Sequence, residues 1–368
     1  MDECTLSDKR RYSRQMILPE LGSEGQAKLA ECRVLIIGAG GLGCPVAQYL
    51  AAAGIGTIGI VDDDIVELSN LQRQPLYMEV DQGKSKSSVA KKRLQQLNPE
   101  IIVNDYDERM TDKNAINLFS GYDIIVDGTD NFSTKFLICD TAVKTRKTVV
   151  YGAIQGFDGQ VAVFDSTCGA CYRCLQPQSP ESLVMNCAEA GVIGAIAGIT
   201  GSVQAMEVVK LIIDDASFSP LISKLWMIDA RSMETRIIKI PKRPDCPACS
   251  KPAAEIIPQN SSPVCFLGIA EEIQSQSIEN PSKYQMIDVR ELHEWEAGHI
   301  AGALHLPLSV LQINPDIFSD IDTEKPRILY CQRGMRSKKA VEILLAAGFG
   351  DILSLSGGYE EWCALKEH

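Results

Sequence analysis

Positive charge is in short supply in this sequence. Lysine and arginine number 36 against 48 acidic residues, a formal net charge of −12. That deficit argues against nucleic-acid and anionic-membrane binders, whose affinity rests on cationic surface, and leaves small-molecule, metal and protein ligands. The opening residues Met1-Asp2-Glu3-Cys4 contain neither a basic stretch nor an apolar run. No secretion leader is therefore expected, and the expected location is the cytoplasm. A membrane-length apolar run is also missing. The uncharged stretch 191–205 falls short of the about 20 residues a span needs, and it carries Thr200, Ser202 and Gln204. It reads as a Gly/Ala-rich helix packed closely in the interior or at a subunit interface. There is no internal repeat and no low-complexity tract. With 45% hydrophobic and 23% charged residues the chain has a globular composition, and 368 residues suit two domains.

Cysteine, by contrast, is plentiful at 13 residues. Without a leader these read as thiols, metal ligands or catalytic groups in a reducing compartment, not as a disulfide framework. Cys171-Tyr172-Arg173-Cys174 and Cys246-Pro247-Ala248-Cys249 are two C-x-x-C pairs with 71 residues between them. Each pair offers two thiolates to one tetrahedral ion, and four thiolates select zinc over harder metals. A closed four-cysteine site leaves no position for substrate, so its expected role is structural. Cys168 is left out, since it would make a fifth ligand.

The first part of the chain alternates strand-like and helical patterns. Arg33–Ile37 reads as a buried strand, 45–53 as a helix, Thr57–Val61 as a strand, 85–97 as a helix, and 123–126 as a strand ending at Asp127. Two further strand-like runs lie between Val149 and Phe164. This is the rhythm of an α/β, Rossmann-like nucleotide-binding domain. Gly38-Ala39-Gly40-Gly41-Leu42-Gly43 follows the first strand and opens the first helix, where glycines let phosphate oxygens approach main-chain N–H groups. Asp62 stands nineteen residues beyond Gly43, at the end of the next strand, where a carboxylate would meet ribose hydroxyls. Those two features alone suit an NAD-dependent dehydrogenase. The residues that follow do not: beyond Ser69 and Asn70, Arg73 and Lys86 add cations that hydride transfer does not need and that nucleotidyl transfer uses to stabilise charge on phosphates. Asp130 and Asn131, just after a later strand, place a carboxylate where it could hold Mg²⁺.

Arg11-Tyr12-Ser13-Arg14-Gln15, the glycine loop, the S-N-L-x-R-Q run from Ser69 and Asp127-Gly128-Thr129-Asp130-Asn131 together resemble the MoeB/ThiF adenylyltransferases, relatives of ubiquitin-activating enzymes, over residues from about 8 to 250. The resemblance implies an ATP pocket formed by Gly41, Asp62, Asn70, Arg73, Lys86 and Asp130. It implies that Arg14 reaches in from a second subunit, hence a homodimer. It implies transfer of AMP to the Gly-Gly C-terminus of a ubiquitin-like carrier, and it places the same cysteine tetrad on zinc. Cys187 lies in a segment, Cys187-Ala188-Glu189-Ala190-Gly191, similar to the motif around the cysteine that links covalently to the activated carrier.

Residues 251–264 are rich in Pro, Ser and small residues and read as a linker between a domain at 1–250 and another at 265–368. In the second, short strands at 285–289, 327–330 and 352–355 with a helix at 337–347 make a smaller α/β domain. Cys331 ends a strand and precedes a helix, with Arg333 and Arg336 close by in sequence; inward-pointing N–H groups and nearby cations stabilise a thiolate or persulfide anion. Ile287-Asp288-Val289-Arg290-Glu291, Gly298-His299-Ile300 and Cys331-Gln332-Arg333-Gly334-Met335-Arg336 resemble a rhodanese domain. The loop from Cys331 to Arg336 has the length of a sulfurtransferase loop, shorter than that of the related phosphatases. Many rhodaneses place Arg directly after the cysteine, where this chain has Gln332. His299 reads as structural.

Both resemblances on one chain imply a bifunctional enzyme that uses ATP and Mg²⁺, takes sulfur from a cysteine desulfurase or from thiosulfate, and leaves a thiocarboxylate on its carrier for molybdopterin, thiamine or another sulfur pathway. An adenylating enzyme with a vestigial or regulatory second domain is the alternative. A non-catalytic scaffold is a third reading, disfavoured by Arg73, Lys86 and Asp130 occurring together.

Overall fold

Arg33–Ile37 (β1) buries four of its five residues, and the alternation sends Val34 and Ile36 into one apolar layer and Leu35 and Ile37 into another. A strand apolar on both sides belongs at the centre of a parallel sheet covered on both faces. The computed structural model, which describes residues 10–177, 191–258, 272–278, 280–321, 325–347 and 349–366, places it there. An eight-stranded sheet runs in the order β3-β2-β1-β4-β5-β6-β7-β8. Its strands are Thr57–Val61 (β2), Ile102–Tyr106 (β3), Ile124–Asp127 (β4), Thr148–Gln155 (β5), Asp158–Phe164 (β6), Lys224–Asp229 (β7) and Glu234–Lys239 (β8). Pairing is parallel from β3 to β5 and antiparallel from β5 to β8.

Helices cover both faces. Gly22–Glu31 (α1), Gly43–Ala53 (α2), Lys86–Leu97 (α3) and Gly194–Ile213 (α6) pack on the Val34 and Ile36 side, while Ala115–Ser120 (α4) and Phe132–Thr145 (α5) pack on the Leu35 and Ile37 side. Because β1 is flanked by β2 and β4, chain crossovers leave in opposite directions from its C-terminal end. That makes a crevice there, the usual ligand position in such sheets.

Among the described residues α6 is the one helix long and apolar enough to cross a membrane. Here it is a core helix. A Cβ on Gly201 would stand 2.5 Å from Pro45 of α2, and Cβ atoms on Gly152 and Gly159 would strike Gln204 and Thr200 of α6. Glycine at these points lets helix and sheet approach more closely than side chains permit.

Residues 251–258, read from composition as linker, are packed chain. Ile256 is buried in the α5 layer, and Lys144 of α5 donates to the Ile256 carbonyl at 2.7 Å. The chain divides into two compact units between residues 261 and 262. The second holds a five-stranded parallel sheet in the order β11-β10-β12-β13-β9, built from Glu272–Gln274 (β9), Gln285–Asp288 (β10), Leu304–His305 (β11), Arg327–Tyr330 (β12) and Ile352–Ser356 (β13). Leu292–Glu296 (α7), Leu308–Ile313 (α8), Met335–Ala346 (α9) and Gly358–Lys366 (α10) complete it.

Candidate active sites

The glycine loop joins β1 to α2 at the predicted crevice. Gly38 has φ +90°, a left-handed value that favours glycine. A Cβ on Gly43 would lie 2.0 Å from the Gly38 carbonyl, so residues 38–43 close as a tight main-chain turn. Asp62, after β2, accepts the Ala39 N–H at 2.7 Å through Oδ2 and the Asp64 N–H at 2.9 Å through Oδ1. Burial pushes its carboxyl up from the ordinary value, against the Lys86 cation and those two amides. Lys86, at the start of α3, is buried and donates to Asp64 Oδ2 at 2.8 Å. Asn70 is buried with its Oδ1 lacking a partner, and Gln74, buried beside Gly40, also has an unspent Oε1. Two orphaned acceptors, one of them beside the glycine turn, suit a ligand that brings donors, as buried polar groups otherwise find partners.

Arg73 donates to the Ser69 carbonyl at 3.0 Å, and the Ser69 hydroxyl donates to Glu67 at 3.2 Å. Asp130 is exposed, and among the described residues no hydrogen bond or ion pair engages it. Asn131 spends its Oδ1 on the Thr134 N–H at 2.9 Å, capping α5. Arg14 is exposed on the short helix Ser13–Met16. Gly41, Asp62, Asn70, Arg73 and Lys86 thus come from the loops and helix starts along one edge of the sheet. Cys187 lies outside the described residues.

The four cysteines of the C-x-x-C pairs meet. Their sulfurs lie within 4.8 Å of one another, with Cys171–Cys246 at 3.5 Å, Cys174–Cys249 at 3.4 Å and Cys171–Cys174 at 4.0 Å. Four sulfurs about 2.3 Å from a tetrahedral zinc stand about 3.8 Å apart. The donor set therefore fits zinc in both chemistry and spacing. The neighbouring Cys171 thiol, then burial, pushes the Cys246 thiol up to about 12. Arg243 N–H also points at Cys174 Sγ, 3.4 Å away.

In the second unit Cys331 directly follows β12 and is 1% exposed; its sulfur accepts the Gly334 N–H at 3.2 Å, with Ser337 Oγ at 3.7 Å. Gly334 has φ +91° and turns the chain into α9. A Cβ on Gly358 would stand 2.4 Å from the Cys331 carbonyl, so the start of α10 closes directly on the loop. The loop cations are each engaged. Arg336 grips Glu294 with two bonds of 2.6 Å, and Arg333 reaches Glu360 at 2.9 Å. Gln332 donates to Glu360 and accepts from Arg290, whose guanidinium is buried against Asp288. Met335, the first residue of α9, is 76% exposed. His299 stacks on Trp295 at 3.6 Å between ring centroids.

Residues 12–248 match the ThiF family and residues 270–365 match the rhodanese-like domain. The chain belongs to the ThiF family. It carries a rhodanese-like domain after the ThiF domain. A probable adenylyltransferase/sulfurtransferase MoeZ of Mycobacterium tuberculosis is 38% identical over 371 residues, covering 96% of this chain and 92% of its own. A sulfur carrier protein adenylyltransferase of Thermus thermophilus is 46% identical over 251 residues, 67% of this chain and 92% of its own length. The solved structure of E. coli MccB with ATP superposes on the ThiF part with a TM-score of 0.58 at 25% identity, over 66% of this chain and 75% of that one.

Sequence reasoning missed the acids that face the cations. Asp64 was visible only as part of a triple aspartate, and Glu294 and Glu360 lie 42 and 27 residues from their arginines. Lys135 and Gln204, described below, carry no motif of their own.

Proposed function

We propose that this ThiF-family chain adenylates the C-terminal glycine of a ubiquitin-like sulfur-carrier protein ending in Gly-Gly and then replaces the adenylate with sulfur held on Cys331. It is a bifunctional transferase, of nucleotidyl groups in the ThiF domain (about 1–250) and of sulfur in the rhodanese-like domain (about 265–368). The observation that carries the reading is the pairing on one chain of a glycine turn that has an unspent buried acceptor, Gln74, beside it with a buried thiol seated on an N–H at a helix start. A carboxylate is a poor electrophile, and the ATP-derived acyl-adenylate makes it a good one. The carrier carboxylate attacks the α-phosphorus and pyrophosphate leaves. Gly41, Asp62, Ser69, Asn70 and Asn131 line the nucleotide side, while Arg73, Lys86 and a partner subunit's copy of Arg14 offset charge on the phosphates. Asp130 would hold Mg²⁺, which would neutralise charge on the phosphates.

The Cys331 persulfide, cradled by residues 332–336, then attacks the acyl carbon and displaces AMP. Cys187 opens the resulting acyl disulfide by forming a disulfide with Cys331, releasing the carrier thiocarboxylate; a cellular dithiol restores both thiols. A cysteine desulfurase or thiosulfate reloads Cys331. Zinc on Cys171, Cys174, Cys246 and Cys249 is structural. We place the enzyme in the cytoplasm as a homodimer.

Intact-protein mass spectrometry of Gly-Gly carriers incubated with enzyme, ATP and a persulfide donor tests this. Cys331→Ala should keep carrier-dependent ATP–pyrophosphate exchange and yield no thiocarboxylate in sulfide-free buffer. Asp130→Ala should fold and lose the exchange. Normal thiocarboxylate from Cys331→Ala would refute the sulfur-transfer half, and exchange undiminished in Asp130→Ala would refute the magnesium assignment.

A further inference from the structure

The end of β4 is tied down by groups that the nucleotide reading does not use. Asp127 is buried, and its Oδ1 accepts the Thr129 N–H at 3.0 Å and the Thr129 hydroxyl at 2.7 Å. Its Oδ2 accepts from Lys135 Nζ at 3.0 Å. Lys135 is also buried; it spends a second proton on the Gly152 carbonyl of β5 at 2.9 Å and sits 4.7 Å from the Tyr151 ring centroid. From the α6 side of the sheet, Gln204 Nε2 donates to the main-chain carbonyls of Asp127 at 2.9 Å and Val150 at 3.2 Å.

Taking two charges out of water is not repaid by their attraction alone, so a buried pair is a weak device for stability. What it supplies is one geometry. That geometry is imposed on the turn 128–131. The Gly128 N–H donates to the Ile37 carbonyl at 2.9 Å, and a Cβ on Gly128 would lie 2.9 Å from the Gly38 carbonyl. The turn therefore lies directly on the glycine loop, with no side chain between them. Beyond it, Asn131 is anchored by capping α5. The backbone on both sides of Asp130 is fixed, while its carboxylate is left unpaired among the described residues.

We propose that Lys135, together with Asp127 and Gln204, is a positioning set for the nucleotide site. The set holds the 128–131 turn on the glycine loop, and so fixes where Asp130 presents its carboxylate to the cation of a nucleoside triphosphate. The second half of this rests on the role of Asp130 proposed above; the first half does not.

The full-length chain decides it, as Lys135→Met and as the double variant Asp127→Asn/Lys135→Met, which leaves no orphaned buried charge. Amide exchange is measured without nucleotide or metal, and ATP binding is measured by calorimetry across a Mg²⁺ series. In Lys135→Met, exchange at Gly128 and Thr129 should rise by at least about tenfold, while exchange in β1 stays as in the parent chain. The Mg²⁺ needed for half-maximal ATP binding should rise by about fivefold or more, with Mg²⁺-free ATP binding within about twofold, since only the cation ligand is displaced. The double variant should melt close to the parent chain yet keep the loosened turn and the weakened Mg²⁺ response. Parental exchange and Mg²⁺ response in folded Lys135→Met would overturn the proposal. If that variant does not fold, the same result in the double variant would overturn it. A parent chain whose ATP binding ignores Mg²⁺ would instead refute the Asp130 assignment, and amide exchange would still decide whether the pair holds the turn.

Discussion

The loop after Cys331 carries two arginines whose environments differ, and the difference is measurable. Arg333 and Glu360 meet at the surface, with side chains 78% and 47% exposed, where an ion pair contributes little. Arg336 and Glu294 are 25% and 22% exposed and share two short bonds. The hydrogen bond from Arg336 holds the Glu294 carboxyl below the usual carboxylate range, and the Glu291 amide also favours the ionised form. A depressed acid stabilises the fold fully above its unfolded value, about 4.3, and the contribution disappears as pH falls through the lower folded value. Glu294→Gln should therefore reduce the stability of the rhodanese-like domain by about 0.5–1 kcal/mol at neutral pH, discounted for solvent screening. It should also remove part of the loss on acidification. Urea unfolding read by pulsed amide exchange, from about pH 6 down to about pH 3.5, checks both. An unchanged acid limb in the variant would mean that the pair does not contribute to folding.

Helix α6 shows how one element can hold neighbouring glycines with opposite needs. Gly201 has no room: its Cβ would meet Pro45 at 2.5 Å and the Leu42 carbonyl at 2.8 Å. Gly198 has nothing within 4 Å of its Cβ position. Gly201→Ala should destabilise the ThiF domain by about 1–3 kcal/mol through overpacking. Gly198→Ala should stabilise it by about 0.5–1 kcal/mol, because alanine loses less backbone entropy in a helix. Urea midpoints of the two variants, compared at equal slope, decide the matter. Equal effects would mean that α6 does not approach α2 as described. The same helix passes a membrane-span test by length and composition, yet half of it is buried inside the chain. Its uncharged first part, ahead of Glu207 and Lys210, reflects close packing on β5 and β6.

At the scale of the molecule, two arrangements reach beyond any one element. The cysteine tetrad brings residues 171–174 and 246–249 together; with the proposed zinc on it, losing one ligand should loosen both segments. Cys246→Ser should lower zinc content and melting temperature, by at least about 5 °C, and leave persulfide formation at Cys331 intact. Metal analysis with calorimetry would show this, and lost adenylation at full zinc and full stability would contradict a structural role. The second arrangement is the proposed homodimer. Arg14 is exposed, and Lys86 is buried in its own chain. If Arg14 completes a partner's site, mixing inactive Arg14→Ala and Lys86→Ala chains leaves one intact site in each mixed dimer. Exchange of pyrophosphate should then recover to roughly a quarter of the parent value, by random pairing in a twofold assembly. No recovery after subunit exchange would place Arg14 in its own chain's site or outside it.

Much of this was legible before any coordinates. The parallel strands β1, β2 and β4 are short, apolar on both sides and punctuated by Gly, Asp and Gly-rich turns, so their bounds and their nucleotide loop follow from local pattern. The cysteine pairs are legible for a similar reason, because metal ligation fixes a spacing. Strand β8 was not legible, since all six of its residues are exposed and only pairing with β7 defines it. The packed start of the expected linker escaped as well, because polar composition says nothing of one buried Ile256. The tertiary structure alone decided which charges meet. Lys135 finds Asp127 from the next helix, Gln204 reaches the same residue from 77 positions away, and Arg336 finds Glu294 from 42. A motif records what neighbouring residues do to one backbone turn. The partners of a buried charge are set by which elements the sheet brings together, and no local spacing encodes that.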